Sequence, residues 1–216
     1  MRTREQLLDS LASELTPVVR PPAPGLLCST WLVASAAYVV LLTWLLGPIR
    51  PVALEQLLTV PRFSLEMLVG TVAACALAAL AFRSAVPGSL SRGFAWGALG
   101  VLLLWLANFV LGIAIPTLEP SMLGKRDHCY LETFLYALPP LVGALYWQQR
   151  LYSMSPRRAA MLAGLAAGML PALYMQIACM YEPVHILAFH VGPALLVAAV
   201  APLMLLAWQK ALAIRD

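Results

Sequence analysis

Four cysteines and three histidines are the residues here whose types suit thiol or metal chemistry. Cys129 and Cys179 stand out by position. Each lies just outside one of two apolar runs, 131–149 and 159–177, that are joined by a basic turn, Arg150–Arg158. Two crossings return a chain to the face it left, so both thiols belong to one surface. There they can close a disulfide or form a redox pair. Alternatively, with Asp127, His128, Glu182 and His185, they can hold a soft metal ion, since thiolate and imidazole suit zinc, cadmium and copper(I). A third reading makes them two unrelated small residues in loops. His190, about one turn inside the last apolar run, reads as a hydrogen-bonded structural histidine. His185 falls on a different face of an α-helix from His190, so a paired haem site is not expected. Asn108 and Gln176 read as polar partners between helices.

Other chemistry finds little support. There is no CxxC, which argues against a zinc knuckle or a thioredoxin-like motif. No nucleophile triad, phosphate loop or paired intramembrane carboxylate is visible, so an enzyme is not expected. The remaining catalytic option is a thiol–quinone oxidoreductase. It is weakened by the missing CxxC, because a resolving thiol must sit beside the attacking one.

The elements that position these residues follow from composition. The chain has 216 residues, 62% hydrophobic and 11% charged, against roughly 25% charged in soluble domains. Its apolar runs are continuous rather than alternating, which points to membrane helices and not a barrel. The expected class is all-α: a polytopic six-helix transmembrane bundle with a short amphipathic N-terminal helix. The spans fall at roughly 26–46, 65–82, 94–115, 131–149, 159–177 and 185–208. Gly70, Ala74 and Ala78 in the second span, and Ala160, Gly164, Gly168 and Ala172 in the fifth, form small-residue rows that permit close helix approach. Pro139-Pro140 predicts a kink in the fourth span. A short interfacial helix is expected at 52–59.

Six spans place both termini on one side. Ten Lys and Arg residues go with the termini and four with the other face, which predicts that both termini are cytoplasmic. The net charge of +4 is therefore a sign of topology, with no direct nucleic-acid binding implied. The exterior face then carries Glu55, Glu66, Glu119, Asp127, Glu132 and Glu182. No cleavable signal peptide is expected, because no apolar core precedes the first span.

Three regions result: a cytoplasmic arm and tether (1–25), the membrane domain (26–208) and a tail (209–216). In the arm, Thr3 and Gln6 fit a capping box, and Leu7, Leu8, Leu11 and Leu15 fall on one stripe. A helix of about 13 residues is marginal alone in water. The stripe therefore needs a bilayer, a loop of its own chain or a docking partner. Prolines in 16–25 make a stiff tether.

Several stretches carry a resemblance: LLDSLASELTPVVRPPAPG in the arm, the turn Phe82-Arg-Ser-Ala-Val-Pro-Gly88, and LPPLVGALYWQQR followed by Pro156-Arg157-Arg158 and AGLAAG. With them the chain resembles the NrsF family, six-span bacterial inner-membrane anti-sigma factors named as negative regulators of sigma-F. The resemblance covers nearly the whole chain. It implies a protein that sequesters an extracytoplasmic-function sigma factor at the membrane and frees it under heavy-metal or oxidative stress. Cys129 and Cys179 are similar to the family's periplasmic cysteines, which makes them the implied sensor thiols. Docking then falls to the leucine stripe, helped by Arg83, Arg92, Arg157 and Arg158 in the basic turns. No cofactor is implied beyond a soft metal ion at the thiols.

Overall fold

The computed structural model describes residues 3–14 and 22–213, which form helices and connecting turns with no strand. Leu15 and most of the proline tether lie outside the described residues. Helix α1 (Arg4–Ser13) begins with the expected capping box: the Thr3 amide donates to Gln6 Oε1 at 3.0 Å and the Gln6 amide to Thr3 Oγ1 at 3.3 Å. It buries none of its residues, and Leu7, Leu8 and Leu11 are exposed.

Helices α2 (Pro24–Leu46), α3 (Ala53–Thr59), α4 (Pro61–Ser84), α5 (Arg92–Gly112), α6 (Cys129–Gln148) and α7 (Pro156–Ala178) follow. A last continuous run is built from α8 (Pro183–His185), a π-helical segment (Ile186–Val191) and α9 (Gly192–Ala213). Prolines open α2, α4 and α7 at their first turns, where a missing N–H costs nothing. Five of these helices are long and apolar enough to cross a membrane: α2, α4, α5, α7 and Pro183–Leu212. The chain thus has the character of a helical membrane protein. Helix α6 is 20 residues long but is not one of the five; Glu132, Thr133, Gln148 and two prolines dilute its apolar content.

Helix α7 is the centre of the bundle, and its small residues are the reason. A Cβ on Gly164 would stand 2.7 Å from the Cα of Ala198, and one on Gly168 2.6 Å from the Cα of Ala194. Ala160 and Ala172 are fully buried on the same row. With no side chain between them, α7 and α9 pack backbone to backbone, as the small-residue spacing predicts. On α4, Gly70 lies against the indole of Trp105, and Ala74 and Ala78 are buried.

Hydrogen bonds fix which ends meet. At one end Gln148 Nε2 donates to the carbonyls of Ala81 (3.1 Å) and Ala159 (3.2 Å), gathering the ends of α4, α6 and α7. At the other end Arg126 Nη1 donates to the Pro48 carbonyl (3.0 Å), Arg50 Nη2 to the Gln176 carbonyl (3.3 Å) and the Ser121 amide to the Tyr181 carbonyl (3.3 Å). The loops 47–60, 113–128 and 179–182 are thereby sewn into one layer. Two arginines do much of this from buried positions: Arg50 is 5% and Arg126 7% exposed. Burial pulls the Arg50 pKa down. Arg126 is paired with Glu132 at 2.5 Å. Glycines make room for both. Arg126 lies flat over Gly47, while Gly124, at φ +78°, presses on the Arg50 backbone. A side chain at either position would push its arginine away.

One acid expected on the exterior face, Glu66, is buried instead. Glu66 is 3% exposed, one turn inside α4 and not on a surface loop. Its Oε2 accepts from Asn108 Nδ2 (2.5 Å), Thr117 Oγ1 (3.1 Å) and the Tyr181 hydroxyl (2.9 Å). Asn108 therefore meets a partner helix, as expected. Gln176 is fully buried, but its side-chain oxygen and nitrogen have no partner among the described residues.

A buried Cys–His cluster as the candidate functional site

The two thiols meet under the sewn loop layer. Cys129 is the first residue of α6 and Cys179 directly follows α7, so the ends of two neighbouring helices hold them together. Both are free thiols. They are not exposed, as an exterior surface position had suggested: Cys129 is 2% and Cys179 0% accessible. The layer containing Arg126 covers them.

Two histidines complete the group. Cys129 Sγ lies 3.0 Å from His190 Nε2, and Cys179 Sγ lies 3.5 Å from His185 Nε2. One ligand atom from each of these four residues lies within 4.8 Å of the others. The reading that His185 and His190 face different ways is corrected here, and the cause is helical register. Five residues along an α-helix turn the chain by about 500°, leaving the two side chains roughly 140° apart. In a π-helix, residues i and i+5 are hydrogen-bonded across one turn and lie one above the other. The segment Ile186–Val191 is π-helical, and the Gly192 amide donates to the Leu187 carbonyl, five residues back. Pro193 follows directly and has no N–H to offer the Phe189 carbonyl. The result is an edge-to-face pair of imidazoles with centroids 5.2 Å apart. His185 is further held by stacking on Phe189, with centroids 4.7 Å apart and planes 11° from parallel.

The other expected ligands lie around this cluster. Glu182 caps the last helical run: its Oε1 accepts from the Val184 amide at 3.0 Å and its Oε2 from the His185 amide. A carboxylate so committed orients His185 and is a poor ligand. Asp127 and His128 line a cavity of about 560 Å³ together with Cys129, Glu182 and His185. They form the approach to the cluster, whose deeper half is Cys179 and His190. Cys28 and Cys75 lie elsewhere, on α2 and α4.

Electrostatics favour a thiolate at Cys179. Its pKa is held well below the usual thiol range by a hydrogen bond from Cys129, and further by His185, His190 and the backbone of Arg126, against the opposing effect of burial. His190 Nδ1 is buried without a partner among the described residues. Two sulfurs and two imidazole nitrogens gathered within 4.8 Å are the ligand set of a closed tetrahedral site of the Cys2His2 type. The same two sulfurs are close enough to meet under oxidation. Sequence inspection missed His190 as a member; the i, i+5 histidine spacing just ahead of Pro193 is the signal that identifies it.

Of the docking residues expected from sequence, the four arginines lie at the end of the bundle away from the cluster. Leu7, Leu8 and Leu11 are on α1, Arg83 and Arg92 flank the α4–α5 turn, and Arg157 and Arg158 open α7. Arg83 stacks over Phe94 at 4.9 Å.

No curated protein and no solved structure matches this chain. A family model does match, over residues 11–208, and its description is negative regulator of sigma F. That stretch takes in helices α2 to α8 from first to last turn, both thiols and both cluster histidines, and the chain belongs to the NrsF family of negative regulators of sigma F.

Proposed function

We propose that this protein is a bacterial inner-membrane anti-sigma factor. It holds an extracytoplasmic-function sigma factor at the cytoplasmic face and releases it when a soft metal ion or an oxidant reacts at Cys129 and Cys179 from the periplasmic side. One observation carries the reading: a buried Cys2His2 cluster at one end of the bundle, opposite the end that leads to α1 with its exposed leucine stripe. In this account six helices, α6 included, cross the membrane with both termini in the cytoplasm.

Magnitudes favour the metal arm. Ligand atoms around a tetrahedral zinc-like ion sit about 3.8 Å apart for sulfur pairs, given metal–sulfur bonds of about 2.3 Å. The cluster, spread over as much as 4.8 Å, must contract by up to about 1 Å. That contraction draws the ends of α6, α7 and the π-helical segment together and tilts α6 against α7, with Pro139-Pro140 as the point of bending. Moving a two-state equilibrium from 1:99 to 99:1 takes about 5.5 kcal/mol. Thiolate–imidazole zinc sites supply roughly 10–16 kcal/mol, whereas a disulfide supplies about 2–4 kcal/mol. Oxidation starts from the same geometry, with the Cys179 thiolate as the reacting sulfur.

Reconstitution with the bound sigma factor in nanodiscs tests this. Cadmium and a thiol oxidant are each added and release is measured for wild type, Cys129→Ser/Cys179→Ser and His190→Ala. The double variant is expected to release in neither case, and His190→Ala only with oxidant. Normal release by the double variant removes the thiols from the mechanism.

A further inference from the structure

A second polar site lies in the α4–α5 pair, away from the thiols. Glu66 Oε2 already accepts three hydrogen bonds, but Glu66 Oε1 has no partner among the described residues. On α5, Trp105 Nε1 is also buried and unpartnered among the described residues; the residue is 1% exposed. Both residues line one cavity of about 130 Å³, which Arg62 and Asn108 also border. The indole nitrogen packs 2.6 Å from where a Cβ of Gly70 would stand. Gly70 is one turn along α4 from Glu66, so the indole packs on the α4 face that carries Glu66.

The two atoms make opposite demands. A carboxylate oxygen accepts hydrogen bonds and an indole N–H only donates. A cation would satisfy Glu66 but be repelled by the indole N–H and by Arg62; an anion would suit those two and be repelled by Glu66. A neutral hydroxyl donates and accepts at once and satisfies both. Leaving either atom unpaired in this setting is unfavourable, and the cavity exceeds the roughly 30 Å³ that one water occupies in the liquid.

We infer that the Glu66–Trp105 cavity is a binding site for a hydroxyl group, held between Glu66 Oε1 and the Trp105 indole N–H. Two sources offer that chemistry: a water molecule, or the glycerol hydroxyl of a phospholipid headgroup. The headgroup's phosphate would meet Arg62, and its chains would lie over Leu65 and Leu104, which are 59% and 62% exposed. The site stands independently of the sensing scheme, since none of its residues belongs to the Cys–His cluster.

Indole-labelled full-length protein in nanodiscs tests the inference by nuclear magnetic resonance. The Trp105 N–H resonance is assigned with Trp105→Phe, or by elimination from Trp→Phe variants of the other tryptophans. Cross-relaxation from that N–H to water, in both phosphatidylglycerol and phosphatidylcholine discs, supports the site with water as occupant. Cross-relaxation to lipid glycerol protons in phosphatidylglycerol discs alone supports it with the headgroup as occupant. Neither signal in either disc overturns the inference. Val69→Phe fills the cavity without touching either polar group and is expected to erase the signal; a signal that persists in this variant also overturns it.

Discussion

His185 and His190 face each other edge to face, with ring centroids 5.2 Å apart, although an α-helix would point them in different directions. One π-helical segment brings both imidazoles to Cys129 and Cys179 and makes a four-ligand cluster from two helix ends and one helix face. A π-helical insertion is uncommon and is concentrated at functional sites, which agrees with the cluster's place at the centre of the proposed mechanism.

Cobalt(II) is expected to bind the purified protein with the absorption of a tetrahedral thiolate site. Cys129→Ser, Cys179→Ser and His190→Ala should each weaken or abolish that spectrum. Asp127→Asn and His128→Ala should leave its shape unchanged, because those residues line the approach only. A spectrum unaltered in His190→Ala would remove that histidine from the ligand set.

The orienting residues around His185 should matter by smaller amounts. Glu182→Ala removes the helix cap, a loss of about 1 kcal/mol in helix stability, and should lower metal affinity by roughly 10- to 100-fold as outer-shell changes do. Phe189→Ala removes the ring stacked on His185. Aromatic pairs of this kind contribute about 0.5–1.5 kcal/mol, so a fall of roughly 2- to 12-fold is expected in a competition titration.

Packing between α7 and α9 should tolerate no added volume. Gly168→Val places atoms against the Ala194 backbone and is expected to cost about 1–3 kcal/mol. Gly100→Ala is the control: nothing lies within 4 Å of its would-be Cβ, and alanine is favoured over glycine inside a helix by about 1 kcal/mol. Thermal unfolding in detergent should separate the two in opposite directions.

Tyr181→Phe takes one donor from Glu66. A typical intramolecular hydrogen bond contributes about 0.5–1.5 kcal/mol, so a loss of stability in that range is expected, with cobalt binding at the cluster retained. Loss of both would mean that Tyr181 also holds the Cys179 segment in place.

Replacing Leu7 and Leu11 by Asp should abolish co-purification of a sigma factor, with the bundle itself unaffected because α1 buries none of its residues. Full retention of the partner by the double variant would place docking elsewhere, with the basic turns as the next surface to vary.

Much of this protein is legible in one dimension. Apolar run length announces membrane helices, because the bilayer sets a fixed span. Thr3 and Gln6 announce the capping box, and the small-residue rows of α4 and α7 announce close packing, since these are local rules of period and volume. That Cys129 and Cys179 come together follows from reading 131–149 and 159–177 as a helical hairpin. What the tertiary structure alone decided depends on register and on distant partners. The π-helical segment turns His190 toward the thiols; the i, i+5 histidine spacing permits that register, and only the folded segment selects it over the α-helical one. The layer pinned by Arg50 and Arg126 buries thiols that a linear reading leaves at a surface. Glu66 passes from a surface acid to a buried acceptor because Asn108, Thr117 and Tyr181, 42 to 115 residues away in sequence, converge on one of its oxygens. Such convergence is a property of packing, and periodicity carries no record of it.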